Sequence, residues 1–66
     1  MKIIFNDSQI EISNKITLLE FISKYHKETF GLAVSVNNTV IPKKEWFKLK
    51  IKKNDNIILF QAIAGG

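Results

Sequence analysis

A chain with no cysteine and only 66 residues must hold itself together with one small apolar core. Disulfides, thiolate metal sites, cysteine nucleophiles and persulfide chemistry on the chain itself are excluded at once. The length allows one domain and not two. A domain of this size buries only about 60% of the surface its unfolded chain exposes, so few residues remain to wall a deep pocket. Hydrophobic residues make up 45% of the chain, which argues against disorder. No apolar run approaches the ~18 residues that cross a bilayer. The opening Met1-Lys2-Ile3-Ile4-Phe5-Asn6 lacks the long apolar segment and small-residue cleavage site of a signal peptide. The absence of disulfides fits a reducing compartment. The expectation is a single cytoplasmic domain over residues 1–66, with no membrane partner and monomeric when free.

The order of periodicities then narrows the fold. Met1 to Asn6 alternates with Met1, Ile3 and Phe5 on one face, which predicts a strand. Asn6-Asp7-Ser8 is a cluster of turn formers, and Gln9 to Ser13 resumes the alternation with Ile10 and Ile12 inward, closing a hairpin. A helix follows. Thr17 and Glu20 have the spacing of a capping box, and Ile16 and Phe21 that of a hydrophobic staple. Leu18, Phe21, Ile22 and Tyr25 form one apolar face, and Gly31 lies just past the expected helix end. Leu32 to Asn37 reads as a strand with Val34 and Val36 on one face and Ala33 and Ser35 on the other. Asn37-Asn38 tolerates positive φ, and Thr39 to Ile41 returns until Pro42 stops it. Pro42 to Phe47 reads as a single helical turn or loop, Leu49 to Ile51 as a short exposed strand or extended stretch, and Lys53 to Asn56 as a turn. Ile57 to Ala62 is the most β-prone segment, and residues 63–66 form a tail. A central last strand, parallel to the first and reached through a helix-containing crossover, gives an α+β architecture: the β-grasp, a mixed sheet wrapped around one main helix.

The side chains offer little chemistry. His26 is the only histidine and reads as an exposed residue near the polar end of the helix. Among Asp7, Glu11, Glu20, Glu28, Glu45 and Asp55, no pair has the spacing of an acid/base couple; Glu20 has its capping role and Asp7 and Asp55 sit in turns. No glycine-rich phosphate loop or nucleophile elbow is present. The net charge is +4 and every basic residue is a lysine; Lys43, Lys44, Lys48, Lys50, Lys52 and Lys53 cluster against a single acid, Glu45. Such a face could meet an acidic partner or nucleic acid. A solvated lysine coat is the simpler account, because arginine, the usual partner of phosphates and base edges, is absent. Trp46 and Phe47 are expected to cap the open end of the core rather than to stack bases.

The unusual feature is the end. Gly65-Gly66 forms a slim thread without side chains, able to enter a narrow channel and present its α-carboxylate to a reaction centre. Attack of that carboxylate on the α-phosphate of ATP would give an acyl adenylate, open to a sulfur or nitrogen nucleophile. Here the sequence also resembles a known family. Ile4-Phe5-Asn6-Asp7, Val36-Asn37-Asn38 with Val40-Ile41-Pro42, Glu45-Trp46, and Asp55 through Leu59-Phe60-Gln61-Ala62-Ile63-Ala64-Gly65-Gly66 are similar to the bacterial thiamin-biosynthesis sulfur carriers, the ThiS family. The resemblance implies a ubiquitin-like β-grasp fold and a protein that is a co-substrate, not an enzyme. It implies that a ThiF-type adenylyltransferase activates the Gly66 carboxylate with Mg-ATP, the carrier itself holding no cofactor. A sulfur donor such as a cysteine desulfurase then supplies the sulfur of a Gly66 thiocarboxylate (1-thioglycine), which thiazole synthase, ThiG, consumes. The family often has glycine where Asn54 stands; asparagine tolerates the same left-handed backbone, so the turn is expected to survive.

In a β-grasp layout Ile57 and Leu59 face the core while Ile58 and Phe60 face out beside Ile4. Exposed apolar residues so grouped mark a partner surface. Ile4, Ile58 and Phe60, with Ala62, Ile63 and Ala64 leading to the end, are the expected docking residues. Three rival functions remain: the small subunit of molybdopterin synthase, separable by genetic complementation; a basic nucleic-acid-binding β module, whose binding would fall steeply with salt; and a protein modifier joined to lysines through Gly66, separable by intact mass.

Overall fold

The computed structural model describes residues 1–26 and 31–61. Its first hairpin joins β1 (Lys2–Phe5) to β2 (Ser8–Glu11) in antiparallel register, Phe5 opposite Ser8. Asn6 and Asp7 form the loop with φ of 47° and 69°. Positive φ at both central residues matches the right-handed twist of the flanking strands, which is why two short polar residues stand there. β2 begins one residue earlier and ends two earlier than the alternation predicts. Ile12 nevertheless reaches the core, because its amide still donates to the Met1 carbonyl at 2.9 Å beyond the strand's end, while Ile10 is only half-buried.

The helix α1 (Leu18–Tyr25) starts where its capping box places it. The Glu20 amide donates to Thr17 Oγ1 at 3.2 Å and the Thr17 amide donates to Glu20 Oε1 at 2.9 Å. Two of the donors that every helix start leaves unpaired are thereby satisfied. Ile16 and Phe21, the staple pair, are both buried, as are Leu18 and Ile22. Tyr25 departs from the expected core face: it is 50% exposed, although its ring packs 5.0 Å from Phe5 and 5.1 Å from Phe21. The last residue of the helix, it closes the rim of the core with its ring while half of its surface stays in water.

β3 (Leu32–Val36), entered through Gly31 at φ 77°, turns through Asn37 and Asn38, at φ 52° and 70°, into the two-residue β4 (Thr39–Val40). The predicted return strand thus stops one residue short, before Ile41. A 3₁₀ turn, Lys43–Glu45, leads to Trp46, which is buried and donates its indole Nε1–H to the Ile41 carbonyl at 2.9 Å. Phe47 does not cap the core: Trp46 occupies that place and Phe47 turns outward. In the segment expected as an exposed strand or extended stretch, it is the exposure that differs. Ile51 is in the core, and the stretch makes only one bridge, Thr17 with Lys50. The cause is long-range: the Leu18 amide donates to the Leu49 carbonyl and the Ile51 amide to the Ile16 carbonyl, lashing this segment to the helix start.

β5 (Asn56–Gln61) completes a five-stranded sheet of order β2-β1-β5-β3-β4, parallel to β1 and antiparallel to β3. This is the expected β-grasp, with the last strand central and α1 against one face. Asn54, at φ 69°, supplies the left-handed residue of the turn into β5. No described helix is long and apolar enough to cross a membrane.

Candidate docking face and tail exit

The outward face of the sheet follows from the pleat. Ile57 and Leu59 of β5 are buried against the helix side, so Ile58 and Phe60 project from the opposite side. Register places Ser35 beside Ile58, Ala33 beside Phe60 and Val40 on the far side of Ser35. On the other flank Ile4 pairs with Asn56. Ile4, Ile58, Phe60 and Val40 keep 41%, 37%, 43% and 62% of their surface exposed, and small residues of β3 lie between them. The three residues named from the sequence, Ile4, Ile58 and Phe60, therefore share one face. Val40 is an addition. Its signal was present in the Asn37-Asn38 turn, which sets Val40 opposite Ser35, but the face it takes depends on pairing that only the fold supplies. Ser35 lies on the outer face as predicted, yet it is buried, because Ile58 and Val40 flank it on the two adjacent strands.

A polar clamp fixes where β5 begins. The Asn56 amide donates to Asn37 Oδ1 at 2.9 Å, and Asn37 Nδ2 donates to Asp55 Oδ1 at 2.9 Å. The other carboxylate oxygen of Asp55 accepts from the Lys52 amide at 2.7 Å. Asp55 and Asn37 thus hold β5 in register with β3.

The far end of β5 is held differently. The Asn6 amide donates to the Ile57 carbonyl at 2.9 Å, continuing the parallel ladder one step past β1. The next rung would need the Asn6 carbonyl, but the left-handed turn has rotated it away. The Asn6 side chain replaces it: Leu59 N–H donates to Asn6 Oδ1 at 2.9 Å. Gln61 is the last described residue of the strand. The expected site residues Ala62, Ile63, Ala64, Gly65 and Gly66 lie outside the described residues, as does Glu28. A hollow of about 390 Å³ opens beside this exit, lined by Phe5, Asn6, Tyr25, His26, Leu32, Leu59, Phe60 and Gln61.

The remaining titratable groups have structural surroundings. His26 is the exposed C-cap of α1. The two capping hydrogen bonds from Thr17, backbone first and then hydroxyl, hold the Glu20 carboxyl below its usual range, with Lys24 adding to the effect. Glu45 lies 3.6 Å from Lys48, in an exposed pair within the lysine-rich segment. No group of three or more His, Asp or Glu side chains among the described residues could hold a metal ion.

Comparison with known proteins agrees with this geometry. The family model of the ThiS family matches residues 2–66. The sulfur carrier protein ThiS of Escherichia coli (strain K12) is 32% identical over 66 residues, covering 100% of both chains. The crystal structure of the thiamine biosynthesis protein ThiS from Geobacter metallireducens superposes with a TM-score of 0.88 over 100% of both chains; at 16% identity this likeness is one of fold. A match that runs the length of the chain, with a curated relative of the same length and a β-grasp that places its last strand at the sheet centre, establishes that the chain belongs to the ThiS family.

Proposed function

We propose that the chain is the sulfur carrier of thiazole formation in thiamin biosynthesis and that its reactive group is the Gly66 carboxylate. The observation that carries the proposal is the family match, which extends through Gly65 and Gly66. Support comes from the fold, which brings β5, the strand that precedes these residues, to the centre of the sheet.

The chemistry is then that of a backbone end. A carboxylate oxygen of Gly66 attacks the α-phosphorus of Mg-ATP in a ThiF-type enzyme; the acyl adenylate forms and pyrophosphate leaves. A sulfur nucleophile, delivered by a donor such as a cysteine desulfurase, adds to the acyl carbon and AMP departs. When the donor's sulfur arrives as a persulfide, the product is an acyl disulfide, and attack of a second thiol on its outer sulfur breaks the S–S bond, leaving a disulfide on the donor side and the Gly66 thiocarboxylate that thiazole synthase, ThiG, consumes. Glycine at both final positions leaves the acyl carbon open to attack from either face. The sheet face with Ile4, Ile58 and Phe60 docks the carrier on each enzyme in turn, so that body and tail are recognised together.

Intact-mass measurement tests the proposal. After incubation with the ThiF-type enzyme, ATP and a sulfur donor, the chain should gain the mass of one oxygen-for-sulfur exchange. The gain should vanish when Gly66 is deleted. An exchange that survives the deletion, or a conjugate to a second protein in place of the exchange, refutes it.

A further inference from the structure

The hydrogen-bond pattern around β5 singles out a short open flank. The Asn37 amide donates to the Asn56 carbonyl at 2.8 Å, which fixes the bonded positions of the β3–β5 ladder at Asn56, Ile58 and Phe60. In an antiparallel pair the intervening residues point their N–H and C=O the other way. Ile57, Leu59 and Gln61 therefore turn their backbone groups toward β1. The Ile57 carbonyl is taken by the Asn6 amide and the Leu59 amide by the Asn6 side chain. There β1 has ended and the chain has turned into β2. Among the described residues, the Leu59 carbonyl and the Gln61 N–H have no hydrogen-bond partner on this side, and they border the hollow between Asn6, Tyr25 and His26. Backbone groups left this way at a strand's flank are a template for another strand.

We infer that this flank receives an extended backbone segment of the ATP-dependent enzyme that activates the chain, which pairs with Leu59–Gln61 in the place β1 vacates. The occupant is a polypeptide strand, because what the flank offers is one acceptor and one donor at strand spacing. Phe60 lies between them and projects to the apolar face, so strand pairing and face docking engage the same three residues from two directions. The inference rests on the proposed function for the identity of the enzyme and adds a contact that the apolar face does not supply.

The test removes the N–H without touching the ladder to β3. Gln61 opposes Leu32 at a non-bonded position, so proline at 61 costs no β3 bond, and it asks of Phe60 only the extended backbone it already has. Gln61→Pro and Gln61→Ala both lose the side chain and differ in the N–H. Gln61→Pro should bind the activating enzyme about tenfold more weakly than Gln61→Ala, the loss expected for one hydrogen bond. Amide exchange by NMR gives a second readout. The Gln61 amide should exchange quickly in the free chain and slowly in the complex, whereas the Phe60 amide, bonded to β3, should be slow in both. Equal affinity of the two variants, or a Gln61 amide already slow in the free chain, overturns the inference. If the unaltered chain is not adenylated at all, the functional proposal fails and this inference with it. If it is adenylated and the variants are equal, only the flank is refuted.

Discussion

Replacing Phe60 by alanine tests whether the outer face of the sheet addresses the carrier to its enzymes. Phe60 keeps 43% of its surface exposed, and of the roughly 200 Å² a phenylalanine offers, roughly 85 Å² is free to be buried by a partner. At about 25 cal/mol per Å², withdrawing that area from water is worth ~2 kcal/mol, or ~30-fold in Kd. Alanine retains only the β-carbon, so titration of the ThiF-type enzyme by calorimetry should show a loss on the order of 10- to 30-fold. The fold should lose little, because Phe60 projects away from the core and its neighbour across the ladder is Ala33. Phe47→Ala is the matched control. Phe47 is 64% exposed, more than Phe60, but it sits on the segment tied to the helix start rather than on the sheet face. Its removal should leave Kd unchanged. If Phe47→Ala weakens binding and Phe60→Ala does not, the docking face has been placed on the wrong side. If Phe60→Ala unfolds the chain while its folded fraction binds normally, the pleat has been read backwards.

Further expectations concern the body that holds this face. Asn6→Gly keeps the left-handed turn and removes the acceptor of the Leu59 amide, which should cost about 1–2 kcal/mol in urea unfolding; Asn6→Ala should cost about 1 kcal/mol more, for the backbone alone. A reversed order of the two variants would refute the role given to Asn6. Trp46→Phe should cost about 1–3 kcal/mol, from the lost bond to the Ile41 carbonyl and the vacated core volume, followed by circular dichroism since the only tryptophan is gone. An unchanged midpoint would place Trp46 outside the core. The capped carboxylate of Glu20 titrates below its unfolded range, so its contribution is present above the ordinary glutamate pKa and is lost as pH falls through the depressed folded value. Glu20→Gln should therefore flatten the acid limb of the stability curve, and an identical acid limb would show that the cap does not distinguish the charged carboxylate.

What could be read from the sequence was mostly what depends on near neighbours. The capping box needs only Thr17 and Glu20 three residues apart, and it is present in the fold atom for atom. The alternation Ile57, Ile58, Leu59, Phe60 needs only the pleat, and it divided the buried from the exposed side of β5 correctly. Asparagine at 37, 38 and 54 announces left-handed backbone, and all three residues adopt it. The misreadings lie where a distant segment decides. Ile51 alternates with lysines and looks exposed, but the backbone of the helix start, more than thirty positions away, draws it into the core. Trp46 and Phe47 have the same local composition, and only the carbonyl of Ile41 selects which one turns inward. Asn6 was legible as a turn former. Its second task, standing in for a backbone carbonyl toward Leu59, spans the length of the chain and leaves no local mark.

The position of β5 ties these observations to function. A last strand at the edge of a sheet would deliver its end from the periphery, held on one side throughout. Here the strand is clamped at its start by Asn37 and Asp55 and held on both flanks as far as Leu59. Past that point, among the described residues, β3 alone continues beside it, through Leu32 opposite Gln61. The transition from two-sided to one-sided support falls within the residues that carry the outward Phe60. A partner docked, as proposed, on the outer face at Ile58 and Phe60 would therefore hold β5 at the point where support from β1 ends. Because the proposed reaction uses a main-chain carboxylate, no described side chain need be tuned in pKa for it. What the proposed reaction asks of the folded part is a rigid sheet centre and a readable face. On that basis, substitutions of Lys48, Lys50 or Lys52 should leave the yield of the sulfur exchange unchanged, whereas loss of the β5 clamp through Asn37→Ala should lower that yield even where the chain remains folded.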